Sequence, residues 1–162
     1  MPNDLSSDLL AQALGRTMED AAFVFAEATS EPPPFDGDVI EARLTYAGTH
    51  AGELLLATPA TFAATLAANL LGEDEGGASV TGDDLDAVGE LLNMIAGKVA
   101  VDLFGPDAPC KLGLPRVQRV RAEQHERALA TAQAATTMVE EEGRRIDLSA
   151  CVTSGKVPGA AP

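Results

Sequence analysis

Three polar residues near the middle of the chain, Asp86, Glu90 and Asn93, have types and a spacing that could do chemistry together. In an α-helix, residues three or four apart share one face, so two carboxylates and one amide would form a single line. A neutral amide can accept a hydrogen bond from a water molecule and donate one to it without adding charge. A carboxylate one turn away can pair with a cation on a partner. This face could therefore dock a partner and orient a water molecule.

The surrounding residues predict the helix that must position this line, from residue 81 to about residue 103. Thr81 can cap the first turn, and Asp84 three residues later completes a capping box. An apolar stripe recurs at helical spacing and consists of Leu85, Val88, Leu92, Ile95 and Val99. The polar line, which Gly97 continues, falls nearly opposite this stripe. With the apolar stripe in the core, the polar line must face water or a partner.

Small residues beside the polar line favour close approach by another molecule. Gly97 and Asn93 are poor helix formers, yet both share the acidic line. Gly89 lies next to it and leaves a shallow surface. We therefore assign Asp86, Gly89 and Gly97 to partner binding. The competing interpretation is an ordinary solvated helix face, because charged residues are mostly exposed in any protein.

The run Asp86-x3-Glu90-x2-Asn93, followed by 21 residues and then Pro115, resembles the motif of the CheC/CheX/FliY phosphatases of bacterial chemotaxis. Members of that family remove phosphate from response regulators of the CheY type. The resemblance is close over the central helix and the following strand, and looser over about residues 5–155. It implies one phosphatase domain of those residues. From its position and composition, the segment 156–162 is expected to be a disordered tail. A single motif places the chain on the CheX side of the family.

The resemblance also implies roles for these residues. Asn93 would orient the water that attacks in line, and Glu90 would pair with a Lys of the regulator. Asp86 would support the docked partner or Glu90, and Pro115 would shape the neighbouring strand without taking part in the chemistry. The protein would need no metal or cofactor of its own, since the regulator brings Mg²⁺. A homodimer is implied in the same way.

Two other functions remain open from the sequence. The helix could dock a response regulator or a flagellar-switch component without hydrolysing anything, as a binding module. Alternatively, the chain could be a structural dimerisation domain whose acidic stripe is only solvated. The presence of both Glu90 and Asn93 favours the phosphatase, because binding alone does not require an amide at that spacing.

Composition excludes several kinds of partner. Eleven basic and 25 acidic residues give a net charge of −14, which disfavours nucleic acid and anionic membranes as partners. The most apolar window, residues 54–71, is interrupted by Pro59 and Asn69 and does not predict a membrane span. The first residues lack the pattern of a signal peptide. We expect a cytoplasmic protein in which Cys110 and Cys151 are free thiols.

The remaining elements predict an α+β fold with helices packed on a mostly antiparallel sheet. Helical spacing covers residues 8–28, with Ser6 or Ser7 as cap and Phe25 on the buried side. Thr58 and Pro59 are expected to open a further helix over Phe62, Leu66 and Leu70, stopping at Gly72. Strands are predicted over 38–46, 51–57, 111–120, 128–140 and 145–153.

Several polar features receive no catalytic role. Glu19 and Asp20 form an acidic pair, but Ala22 stands where the motif would need Asn. His50 lies beside a hairpin turn and His125 in a polar approach to the last strands, both without metal ligands nearby. Three basic residues follow Pro115, namely Arg116, Arg119 and Arg121, and they suit either an acidic partner or solvent. The acidic loop 73–79 is expected to be mobile.

Overall fold

The computed structural model describes residues 5–71 and 82–155. Within these ranges the chain forms four helices and one seven-stranded antiparallel sheet. The helices are α1 (Ser7–Ala22), α2 (Ala60–Leu71), α3 (Gly82–Phe104) and α4 (Ala122–Ala130). The strands are β1 (Ala26–Ala28), β2 (Val39–Ala47), β3 (Ala51–Pro59), β4 (Lys111–Leu112), β5 (Arg116–Val120), β6 (Ala134–Glu140) and β7 (Arg145–Ser154). The predicted α+β class is confirmed.

The sheet has two differently covered faces. Its strand order is β1-β6-β7-β3-β2-β4, and β5 also pairs with β2. Because side chains alternate along a strand, Ile40, Ala42 and Leu44 of β2 enter the main core with α1, α2 and α3. Glu41 points to the opposite face, where α4 lies. A small apolar cluster on that face contains Val39, Ala57 and Val120, with Phe35 and Ala122 packed against it.

The first helix begins as predicted but ends earlier. Ser6 caps it, its Oγ accepting a hydrogen bond from the Leu9 N–H at 3.1 Å. The prediction that the helix continues to residue 28 is wrong, because Phe23 adopts a left-handed conformation with φ +56°. Val24 then donates to the Met18 carbonyl at 3.0 Å, and β1 pairs with β6. Phe25 is consequently 54% exposed rather than buried in a helical stripe.

Phe23→Gly is expected to stabilise the fold by about 0.5–1 kcal/mol, because glycine adopts a positive φ without the cost that L-residues incur there. The Phe23 ring is 71% exposed, so little packing is lost. Urea denaturation measures the change. Phe23→Ala removes the same ring but keeps the Cβ atom, so a gain of equal size in that variant would contradict the argument.

The β2–β3 hairpin is confirmed, but the start of α2 differs from the prediction. The ladder continues to Val39 opposite Pro59 and Ile40 opposite Thr58, so both residues belong to the strand and the helix begins at Ala60. Thr58 Oγ1 is buried without a hydrogen-bond partner, so it does not cap the helix. Extension of the pairing with β2 therefore overrides the local signal for a helix start. As predicted, Phe62 and Leu66 are fully buried, and Leu70 is half-buried.

Of the strands after α3, the last is confirmed as β7, whereas the two predicted before it are shorter or divided. The segment 111–120 divides into β4 and β5 around Pro115, and the predicted strand over 128–140 begins only at Ala134. Residues 122–130 instead form α4, which the sequence interpretation missed. The expected cap at Thr81, the stop at Gly72, the loop 73–79 and the tail 156–162 lie outside the described residues.

Candidate functional site

Helix α3 buries its apolar stripe and exposes the polar line. Asp86, Glu90 and Asn93 are all exposed. On the other side of the helix, Val88, Leu92, Ile95 and Val99 are 0–1% exposed within the main core, and Leu85 is half-buried. Packing over several turns fixes the rotation of the helix about its axis. The structure confirms the prediction that a carboxylate and an amide, one turn apart, face away from the core.

Glu90 and Asn93 are free to engage another molecule. In the described ranges 5–71 and 82–155, no hydrogen bond or ion pair within the chain engages either side chain. Residues at this spacing have Cβ atoms about 5–6 Å apart. The pair can therefore reach two neighbouring groups on one bound partner, such as a cation and a water molecule.

Gly89 does not face a partner, because the chain itself covers it. A Cβ atom at Gly89 would lie 3.0 Å from Val117 Cγ2 and 3.6 Å from Pro115 Cβ. The residue is buried, and its small size lets the segment that enters β5 pack directly on the helix. The expected binding role of Gly89 is thus replaced by a packing role. Pro115 lies where the resemblance implied, beside the helix and next to the turn that carries Glu90.

Gly97 differs from Gly89 in being open to the outside. A Cβ atom there would meet no heavy atom within 4 Å, and the residue is half-buried. It lies one turn beyond Asn93 on the same line. Gly97 therefore leaves a shallow surface beside Asn93, as the sequence predicts.

Of the three basic residues after Pro115, two are paired with acidic residues of the chain and Arg121 is exposed. Arg119 Nε donates to Asp38 Oδ2 at 2.8 Å, and Arg116 lies 3.8 Å from Glu53. Among the described residues, no group of three or more His, Cys, Asp or Glu side chains could hold a metal ion. Cys110 and Cys151 are free thiols. The polar line on α3 thus offers two carboxylates, Asp86 and Glu90, and one amide, Asn93.

A buried ionic cluster on the opposite face was missed by sequence reasoning. His125 of α4 is fully buried, with Nδ1 2.8 Å from Glu41 Oε2 and Nε2 2.7 Å from Asp147 Oδ2. Arg145 donates to Asp147 from Nε and from an Nη nitrogen, both at 3.0 Å. The Phe35 ring meets the imidazole edge-on at 5.3 Å. This cluster joins α4 to two central strands.

The two carboxylates hold a charged imidazole between them. Burial by itself would lower the pKa of His125, but hydrogen bonds to Asp147 and Glu41 and their charges outweigh it and raise that pKa to about 9. The protonated ring then donates from both nitrogens at neutral pH. Burial opposes ionisation of Asp147 and Glu41, yet their bonds to His125 and to arginines lower the pKa of both carboxyl groups.

Signals for this cluster were present in the sequence. Glu41 and Asp147 each stand between apolar residues within a predicted strand, and a buried carboxylate requires a cationic or hydrogen-bonding partner. Residues 122–130 are rich in Ala, Glu, Gln, Arg and Leu, which are strong helix formers. Arg121 at the N-cap makes no side-chain capping bond, so the usual mark of a helix start was missing.

His50, the second histidine, is also buried and structural. Its Nε2 lies 3.0 Å from the Tyr46 hydroxyl, and its ring packs on Phe104 with centroids 5.0 Å apart. Burial lowers the pKa of His50. It joins the β2–β3 hairpin to the end of α3 and lies among aromatic rings.

The fold and the exposed carboxylate–amide pair define a domain of the CheC/CheX/FliY class with a single motif. A family model described as "Chemotaxis phosphatase CheX" matches residues 40–142, a range that contains α3 and Pro115. The chain belongs to the CheX family. No characterised protein sequence matches the chain.

Solved structures confirm the fold. CheX of Desulfovibrio desulfuricans is 17% identical with a TM-score of 0.66, covering 91% of this chain and 98% of that one. CheX of Vibrio vulnificus is 15% identical with a TM-score of 0.69, covering 90% and 95%. A CheX–CheY–BeF3–Mg²⁺ complex from Borrelia burgdorferi is 14% identical with a TM-score of 0.67, covering 94% and 100%. At sequence identities of 14–17%, the similarity to these structures establishes a shared fold.

None of the helices in the described ranges has the length and apolar character needed to span a membrane.

Proposed function

We propose that this protein is a phosphatase that removes the phosphoryl group from the aspartate of a CheY-like response regulator. The observation that carries the proposal is the outward display of Glu90 and Asn93, one turn apart, on a helix whose other side is locked in the core. Membership of the CheX family supports it. The Borrelia burgdorferi complex, in which a CheX is bound to CheY, BeF3 and Mg²⁺, supports the kind of partner.

In the proposed reaction a water molecule attacks phosphorus in line with the bond to the regulator's aspartate. The new P–O bond forms as the bond to the aspartyl oxygen breaks, and the water proton leaves with inorganic phosphate. The products are phosphate and a free aspartate carboxylate. Phosphoryl transfer depends mainly on positioning and electrostatics. Asn93 suits this task because its amide can hold the water without adding negative charge beside the phosphoryl group.

Glu90 has a different task from Asn93. Its negative charge opposes close contact with the phosphoryl group, but it can form a charge-assisted hydrogen bond with a lysine of the regulator. That bond would set the register of the complex. Asp86, one turn earlier, would support the docked partner or Glu90. Mg²⁺ would come with the regulator. The homodimer implied by the resemblance and the cytoplasmic location expected from the composition stay predictions.

Glu90→Gln is expected to raise the Kd for a phosphorylated CheY-like regulator by about 10-fold or more, because hydrogen bonds to charged groups are the stronger ones. The substitution keeps the size of the side chain and removes its charge. Titration of the regulator measures Kd, and release of phosphate measures the rate. Glu19→Gln is the matched control, since Glu19 is also exposed on a helix but has Ala22 in place of the asparagine.

The same mixture tests the proposed function as a whole. Wild-type protein is expected to accelerate loss of phosphate from the regulator. Binding without acceleration would establish the non-catalytic binding module instead. A chain that neither binds the regulator nor changes its dephosphorylation rate would leave only the structural domain.

A further inference from the structure

Some of the exposed apolar side chains lie on α3 or on the segment that packs against it. Among the described residues, large hydrophobic side chains are exposed at five positions: Phe23, Phe25, Met94, Val101 and Leu114. Isolated exposed hydrophobic residues are ordinary on protein surfaces. Here, however, three of the five lie on α3 or on the segment that packs against it. Two of these three, Met94 and Leu114, lie close to Asn93 in the sequence or in the fold, which suggests a role in binding.

Leu114 is 89% exposed although its backbone is held on both sides. On one side, the Gly113 N–H donates to the Thr45 carbonyl at 2.8 Å. On the other, Pro115 packs on Gly89, beside the turn that carries Glu90. The side chain is therefore presented outward from a fixed backbone next to the site. It contributes little to the core of its own domain.

Met94 lies on the other side of the catalytic amide. At about 100° per residue, Met94 is rotated by about 100° from Asn93 in one direction and Gly89 by about 40° in the other. Pro115, which packs on Gly89, and the adjacent Leu114 thus lie on one side of Asn93, and Met94 lies on the other side. Met94 is 38% exposed. It borders a cleft of about 450 Å³ between α1 and α3 that Arg16, Ala21 and Lys98 also line.

The long-range field of the protein does not favour binding of the proposed substrate. The chain carries a net charge of −14, and the exposed line itself contains Asp86 and Glu90. A phosphoryl group is anionic, so the long-range field of the protein opposes its approach. Binding energy must then come from local contacts, and buried apolar anchors near the centre of an interface are the usual source.

We propose that Leu114 and Met94 are two apolar anchors that bind the response regulator on either side of its phosphorylated aspartate. This inference rests on the proposed function. The anchors bind apolar surface beside the phosphorylation site of the regulator, and they hold Asn93 over the phosphorus atom. Together with Glu90 they set affinity, whereas Asn93 sets turnover.

The test measures KM and kcat with a phosphorylated CheY-like regulator for Leu114→Gln and Met94→Gln. Each variant is expected to raise KM about 10-fold and to leave kcat within about two-fold, since truncated anchors commonly cost a factor of this size. Leu114→Met, which keeps an apolar side chain, is expected to restore KM. Phe25→Gln is the control, because Phe25 precedes β1, at the far end of the strand order from β4 and β5.

The outcomes separate this inference from the proposed function. The anchor proposal would be wrong if KM were unchanged in both variants, if KM rose equally in the control, or if only kcat fell. None of these results would contradict the proposed phosphatase function. A rise confined to one variant would overturn the two-sided arrangement. If wild type binds a beryllofluoride-activated regulator without hydrolysing the phosphorylated one, the phosphatase fails, and the Kd values of the same variants decide on the anchors. Wild type that neither binds nor hydrolyses overturns both.

Discussion

Asn93→Ala is expected to lower kcat for dephosphorylation of a CheY-like regulator by about 10²–10³-fold, the usual effect of removing one preorganised hydrogen-bonding group from a reacting centre. The Kd for the regulator should change by no more than a few-fold, because Glu90 and the apolar residues around it remain. Asn93 is exposed and alanine is the best helix former, so α3 is expected to stay folded. Single-turnover dephosphorylation with excess protein measures the chemical step without the binding step.

Asn93→Asp gives a sharper comparison than alanine alone. It keeps the size and exposure of the side chain but places a negative charge beside the phosphoryl group, so it is expected to be as inactive as Asn93→Ala. Gln124→Ala is the control, because Gln124 is another exposed amide, on α4 at the opposite face of the sheet. Activity of Asn93→Asp near that of wild type would show that the neutral amide has no special role. A Kd that rises in parallel with the loss of rate would assign Asn93 to binding.

The central helix could be predicted from the sequence because the information that specifies it is local. Its apolar residues recur at a spacing that only one rotation of a helix can bury. The same rotation places Asp86, Glu90 and Asn93 outside. The helix and the outward orientation of these three side chains could therefore be predicted without any knowledge of the tertiary contacts. The prediction failed at Gly89, because which element covers a small residue depends on the path of a segment that begins more than 20 residues later.

The features that could not be predicted from the sequence depend on contacts between residues far apart in the chain. Glu41 is 84 residues from His125, and Asp147 is 22 residues from it. No local pattern brings those three together, and α4 lacks a capping side chain at Arg121. Likewise, Thr58 and Pro59 resemble a helix start, but pairing with β2 keeps both in the strand. Tertiary hydrogen bonding overrides propensity at each of these places.

The ionic cluster and the candidate catalytic face lie on opposite faces of one sheet, and they make different demands on the fold. Under the proposed function, the helix face must stay open so that the regulator can reach Asn93. The other face can be sealed, and there α4 closes over charged groups that are satisfied within the chain. Substitutions in the cluster should therefore affect stability, with catalysis intact wherever the protein remains folded.

His125→Ala is expected to destabilise the fold by about 3–5 kcal/mol, the usual cost of removing one member of a buried ion pair. Without the imidazolium, Glu41 and Asp147 would face each other across a buried gap. Arg43, 3.4 Å from Glu41, and Arg145 would compensate only in part. Urea denaturation at pH 6.5 measures the loss. Glu123→Ala is the control, because Glu123 is exposed on the same helix, and a similar loss in that variant would implicate α4 as a whole.

The pH dependence of wild-type stability separates the charge of His125 from its packing. The pKa of His125 is raised from 6.5 to about 9. The stability that the protonated imidazole adds to the fold is therefore fully present below pH 6.5 and is lost as the pH rises through 9. The contribution of Glu41 and Asp147, whose pKa values are lowered, is present at neutral pH and is lost in acid. Wild type should therefore lose stability between pH 6.5 and 9, by on the order of 3 kcal/mol. His125→Ala should lack that slope, because the group that loses its proton is absent. A flat profile in wild type over this range would mean that the imidazole is neutral and that only its packing joins α4 to the sheet.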